Sequence, residues 1–179
     1  MRNQNQKVEG TMEDREVIIT REFNVSREMV WEAWSDPAQL KAWHAPHGCE
    51  IRFKRFDFRE GGSFHSCIYN PTFGECWCVG TYLEIRRPEK IVYQMATADS
   101  EGRIVAPASV GHDADWPTET IVTVTFEERE GKTLLRLHQT VSELLAKRTG
   151  AYPSWLQMLD RLDEKLVVPL QTPLVEGKA

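Results

Sequence analysis

The sequence has no apolar run approaching the roughly 20 residues that cross a bilayer, so no membrane partner is expected. Its first residues, MRNQNQKVEGTMEDREV, lack the apolar core of a secretory signal. A basic excess is missing too. Lys and Arg number 22 against 27 Asp and Glu, giving a net charge of −5, which argues against a nucleic-acid partner. Four cysteines in 179 residues are too few for a disulfide scaffold. These absences together predict a cytoplasmic protein with reduced thiols. Also absent are G-x-S-x-G, the phosphate-cradling P-loop, the Rossmann glycine set and H-E-x-x-H. The common nucleophile, nucleotide and metalloprotease signatures are thereby excluded.

What is present is an ordinary globular balance, with 41% apolar and 27% charged residues. The length suits one domain, expected over 15–168, with polar tails at 1–14 and 169–179. EVIITREF (16–23) reads as a strand from its β-branched content. Ser26 can cap a helix through VSREMVWEAWS, with Val25 and Val30 spaced as a hydrophobic staple. Asp36-Pro37 then starts a second short helix that carries Leu40 and Trp43 on one face.

From 49 to 140 the apolar period is two, broken by Gly61-Gly62, Asn70-Pro71, Arg87-Pro88 and Glu130-Gly131. Six further strands follow from this pattern, and their short connections predict a largely antiparallel, meandering sheet. The one long connection, 98–118, carries Val110 and Trp116 and is expected to form a partly ordered flap. SWLQMLDRLDEKLV (154–167) is amphipathic: Trp155, Met158, Leu159, Leu162 and Leu166 form one stripe, with Asp160, Arg161, Asp163 and Glu164 facing out. The economical packing is an α+β fold in which a seven-stranded sheet curls around this helix.

Three stretches concentrate reactive side chains. HSCIYNPTFGECWC (65–78) holds one histidine and three of the four cysteines around a turn. A four-residue turn at 70–73 sets Cys67 opposite Cys76 and His65 opposite Cys78, all on one face. A slip of one residue sends Cys76 and Cys78 to the face opposite Cys67. The C-x₂₋₄-C knuckle of structural zinc sites is missing, so core or cavity lining without metal is expected. HAPHGC (44–49) reads as a surface loop with incidental histidines. GHDADW (111–116) offers His112, Asp113 and Asp115 for acid–base chemistry, or Asp115 as a turn cap.

The blocks ITREFNVSREMVWEAWSDPAQLKAWHAP, GTYLEIRRPEKIVY, DWPTETIVTVTFEEREGKTLLRL and WLQMLDRLDEKL resemble the activator-of-heat-shock-protein-90-ATPase homologues. That family belongs to the START and birch-pollen-allergen-like superfamily of helix-grip domains. The resemblance runs from about 16 to 168. It implies a cavity between the sheet and the long helix, used in the superfamily to hold apolar molecules. Where the family reads Trp-Trp-Gly-Pro, this sequence has Trp43-His44-Ala45-Pro46, which sets an imidazole at the expected cavity mouth. The family's co-chaperones also carry a large N-terminal domain that these 179 residues do not contain.

The expected function is binding of a small hydrophobic or aromatic molecule, with no cofactor and no metal. The six tryptophans and several other rings are numerous enough for some to surround a ligand. Trp43, His44, Phe64, Trp77, Tyr82, Tyr93, Trp116, Trp155, Met158 and Leu162 are the expected lining, with His65, Tyr82 and Glu84 as polar anchors. Two alternatives stand beside it. One is a cyclase- or hydrolase-like reaction in the same cavity, with His65 or His112 as base. The other is a protein-interaction module, either a chaperone-ATPase regulator or a homodimer.

Overall fold

A computed structural model describes residues 14–167; both polar tails expected from the sequence fall almost wholly outside that range. The chain runs β1 (Glu16–Phe23), α1 (Arg27–Ser35), α2 (Pro37–Trp43), β2 (Glu50–Phe56), β3 (Ser63–Asn70), β4 (Gly74–Arg86) and β5 (Lys90–Thr97). After a 3₁₀ turn at Pro107–Val110 come β6 (Glu119–Arg129), β7 (Lys132–Ser142), α3 (Glu143–Thr149) and α4 (Ala151–Leu166). The seven strands form one antiparallel sheet in the order β1-β7-β6-β5-β4-β3-β2. Only β1 departs from the meander, because it pairs with β7 at the far end of the chain. The seven strands, their antiparallel pairing and the long C-terminal helix are as the sequence predicts.

The short helices begin where capping chemistry allows. Ser26 accepts a hydrogen bond from the Met29 amide and Asp36 accepts one from Ala38, each satisfying an amide that the helix leaves free. Period-two burial places Val17, Ile19, Val122, Val124, Leu135 and Leu137 on the inner face of the sheet, where they join Leu159 and Leu162 of α4 in one core. Full burial of such side chains stabilises by roughly 1.5–3 kcal/mol each, which is what holds helix to sheet.

Three details of the sequence reading need correction. The last helix begins at Ala151 rather than Ser154, and a separate helix, α3, precedes it. Ser142 caps α3 by accepting from the Leu145 amide, and Gly150, at φ +85°, both ends α3 and admits α4. Arg161 does not face out. Its guanidinium donates to the carbonyls of Ala42, Ala45, Pro46 and Cys49, pinning the α2–β2 loop to α4.

The hairpin register is the third. Asn70 pairs with Gly74, so the turn has three residues, not four. The Asn70 side-chain oxygen accepts from the Thr72 and Phe73 amides, and Gly74 takes the left-handed φ of +83° that closes such a loop. Cys76 therefore opposes Ile68, Cys67 opposes Trp77, Ser66 opposes Cys78 and His65 opposes Val79. One residue fewer in the turn sends Cys76 and Cys78 inward while His65, Cys67 and Trp77 point outward.

Candidate ligand cavity

Between the inner face of β2–β5 and the N-terminal half of α4 lies an inner cavity of about 260 Å³. The sequence makes it by placing rings at alternate positions of neighbouring strands. Phe53 and Phe56 come from β2, Phe64 from β3, Tyr82 from β4 and Tyr93 from β5, with Phe58 beyond β2. A bulge between Phe53 and Arg55 keeps both Phe53 and Phe56 on the inner face. The rings pack edge to face, with Phe58 4.9 Å from Tyr82 and Phe64 5.7 Å from Tyr93 between centroids. Phe64 lies across Gly80, where any Cβ would collide with the ring at 2.1 Å. That is the physical reason for glycine at 80 in mid-strand.

The roof is Trp155 and Met158 of α4, and Trp34, Leu40 and His44 close one side. Toward the loop at 107–118 the cavity shares a wall, including Cys76, Cys78, Met95 and Trp116, with an open cleft of about 760 Å³. Trp116 is half-buried at this junction. Gln139 stands there as well. Its amide donates to Thr120 Oγ1 at 3.0 Å and its oxygen accepts from Trp155 Nε1 at 2.9 Å, a satisfied buried network that ties α4 to β6 and β7.

The cavity is apolar and uncharged at neutral pH. Burial lowers the His44 imidazole to about 4, so it stands neutral. Burial likewise raises the Tyr82 and Tyr93 phenols well above their usual range and pushes the Cys78 thiol up to about 12. Cys78 is further occupied by Ser66, whose Oγ lies 3.2 Å from its sulfur. Trp34 Nε1 and His44 Nδ1 are sealed from solvent and have no hydrogen-bond partner among the described residues.

Of the lining expected from the sequence, Phe64, Tyr82, Tyr93, Trp116, Trp155, Met158 and His44 border this cavity. Three others do not reach it. Trp43 is fully buried behind His44, stacked on it at 4.9 Å, with its Nε1 donating to the Ala33 carbonyl. Leu162 lies in the closed core. Trp77 is on the outer face, where Glu75 accepts from its Nε1 and the Lys54 ammonium lies 4.6 Å above the ring. The register explains Trp77, and it moves His65 as well.

His65 cannot serve as a base in the cavity, because it packs against Trp77 on the outer face with its Nε2 3.2 Å from the Asp99 carbonyl. Glu84 is also on the outer side, paired with Lys90 at 2.8 Å, and does not anchor a ligand. His44 is not an incidental loop histidine: it closes the cavity between Trp43 and Trp155. The lining that sequence reasoning missed comes from Trp34, Phe53, Phe56, Phe58 and Met95. Their alternation with charged residues in FKRFDF carried that signal for the phenylalanines.

His112 lies at the cleft, with its Nε2 3.6 Å from Cys76 Sγ. The turn after it is capped by Asp113 rather than Asp115, since the Asp113 carboxylate accepts from the Asp115 amide. Arg148 of α3 donates to Asp113 through two nitrogens and to Asp115 at 2.8 Å, fastening this loop across the cleft. The Asp115 amide and Arg148 together hold the Asp113 carboxyl below its usual range. Among the described residues no three His, Cys, Asp or Glu side chains are grouped to hold a metal ion. Nor is any helix there long and apolar enough to cross a membrane.

A curved antiparallel sheet gripping a C-terminal helix over a cavity is the architecture that the sequence resemblance implies. The family model described as "Activator of Hsp90 ATPase homolog 1-like protein" matches residues 24–166. The chain belongs to that family. Solved structures share the fold at low identity. A protein from Arthrobacter aurescens superposes with a TM-score of 0.71 at 20% identity, covering 90% of this chain and 92% of its own. One from Staphylococcus epidermidis gives 0.70 at 21%, covering 90% and 96%. The AHSA1 protein from Silicibacter pomeroyi gives 0.65 at 19%, covering 85% and 97%. No curated protein matches the chain.

Proposed function

We propose that this protein binds a neutral, apolar or aromatic small molecule in the inner cavity. The observation that carries the reading is the wall itself: aromatic rings and sulfur-bearing side chains enclose a space in which the titratable groups are uncharged at neutral pH. Ligand sites are mostly apolar with a few polar groups, and Ser66, His44, Tyr82 and Tyr93 are among the polar-bearing residues of this wall. An ionised ligand would lose its hydration with no countercharge to meet it, so a neutral molecule is preferred. The inner volume falls just below the ~300–1,000 Å³ of typical sites. It therefore suits one small ring system or a short chain, and a longer ligand would extend past Trp116 into the cleft.

The test is a titration with Nile red, a neutral hydrophobic dye. Its emission should saturate at one dye per chain, and tryptophan fluorescence should fall over the same range because Trp34, Trp116 and Trp155 border the cavity. Dye emission that rises without saturation would overturn the reading. Organic extraction of the purified protein, followed by mass spectrometry, then identifies any natural occupant.

A further inference from the structure

We propose that Cys76 and His112 form a thiol–imidazole pair that captures α,β-unsaturated carbonyl compounds held in the inner cavity. This extends the ligand-binding reading and rests on it. Cys76 borders both the inner cavity and the open cleft, so its sulfur stands where a bound molecule would pass from one to the other. Across that junction His112 Nε2 lies 3.6 Å from the sulfur, within reach of the thiol proton when the ring carries its own proton on Nδ1.

The histidine is held in place. Its amide donates to the Pro107 carbonyl, and Arg148 grips the two aspartates that follow it. The other thiols lack such a partner. Cys78 is occupied by Ser66, Cys67 is fully buried on the outer face, and Cys49 meets the Asn70 amide. Cys76 is exposed as a residue, yet desolvation against the cavity wall raises its thiol, so a base is needed as the new bond forms.

The addition balances without a further reactant. The Cys76 thiol proton passes to His112 Nε2 while the sulfur attacks the β-carbon of the enone. The C=C electron pair moves toward the carbonyl as an enolate, and His112 returns the proton to the α-carbon. One S–C and one C–H bond replace the S–H bond and the C=C π bond, with no leaving group and no net redox change. An apolar tail in the inner cavity would present the enone head to Cys76.

The experiment compares non-1-en-3-one with but-3-en-2-one, which share one electrophile and differ in tail length. Each rate is followed by intact-protein mass and divided by the rate of the same ketone with free glutathione. Peptide mapping should place a single adduct on Cys76. The nine-carbon ketone should be favoured at least about tenfold, and His112→Gln should slow the addition by at least about tenfold, the lower range of general-base assistance. Circular dichroism establishes that this loop variant is folded. An adduct chiefly on Cys49, or a rate indifferent to His112→Gln, would overturn the pair. Equal relative rates for the two ketones, with the His112 dependence intact, would keep the pair and instead overturn the cavity that feeds it.

Discussion

Helix α4 meets the sheet in two ways, and the contrast explains where a ligand can sit. On one side Leu159 and Leu162 are fully buried in a core with Val17, Leu135 and Leu137, all aliphatic chains that fill the gap. On the other side Trp155 and Met158 stand over β3–β5, whose rings brace one another and leave about 260 Å³ between them and the helix. Flexible aliphatic side chains close space as they pack, whereas rings locked edge to face preserve it. The same helix is thus a structural wedge along one stripe and a roof along the next.

The sharpest way to break this contrast is Leu162→Ala. A cut into the closed side should cost about 2–5 kcal/mol, read as a lower midpoint in urea. Nile red affinity of the folded fraction should stay unchanged. Weakened dye binding would instead put Leu162 in the cavity wall and erase the distinction between the two sides.

The next effect is one of pH. His44 closes the open side as a neutral imidazole, lowered by burial from 6.5 to about 4. As pH falls the unfolded chain takes up this proton first, so stability from this group is whole above about pH 6.5 and is lost progressively down to about pH 4. The loss amounts to about 3 kcal/mol. In His44→Phe the stability curve should be flatter across that window, and an unchanged slope would show that His44 is not shut away from water.

Smallest in stability, and most selective, is Met158→Phe. The exchange keeps the roof apolar and places its added volume in the cavity, at a cost of about 1 kcal/mol, the low end for adding bulk to a core. It should narrow the open side, so that Nile red binds more weakly while a smaller ring such as indole is retained. Equal losses for both ligands would mean that the roof does not set the size limit.

How much of this was legible in the sequence follows from which signals are periodic. Strands, caps and the α4 stripe repeat on fixed spacings, so they could be read without coordinates, as Ser26, Asp36 and the Trp155–Leu162 stripe illustrate. Facing was another matter. The residues NPTFG accommodate a turn of three or four, and that single-residue difference decides whether His65 and Cys67 share a face with Cys76 and Cys78 or with Trp77. Helix α3 was hidden because it follows β7 directly, with Ser142 serving as both the last strand residue and the cap. Arg161 read as solvent-facing because a charge on a helix usually is, and its loop carbonyl partners are distant in sequence.

The Arg161 clamp bears on the order in which the protein can be made. The carbonyls it satisfies lie 112 to 119 residues before it, and among the described residues β1 likewise finds its strand partner in β7. Contacts so far apart in the chain close large loops and lower the rate at which a domain assembles. A growing polypeptide that has just emerged through β5 already contains His44, Phe64, Tyr82 and Tyr93, but it has neither the roof over them nor the arginine that holds their side wall. The pocket is therefore a property of the completed chain. During synthesis those rings await their cover, and α4, the last helix among the described residues, is what converts them into a wall.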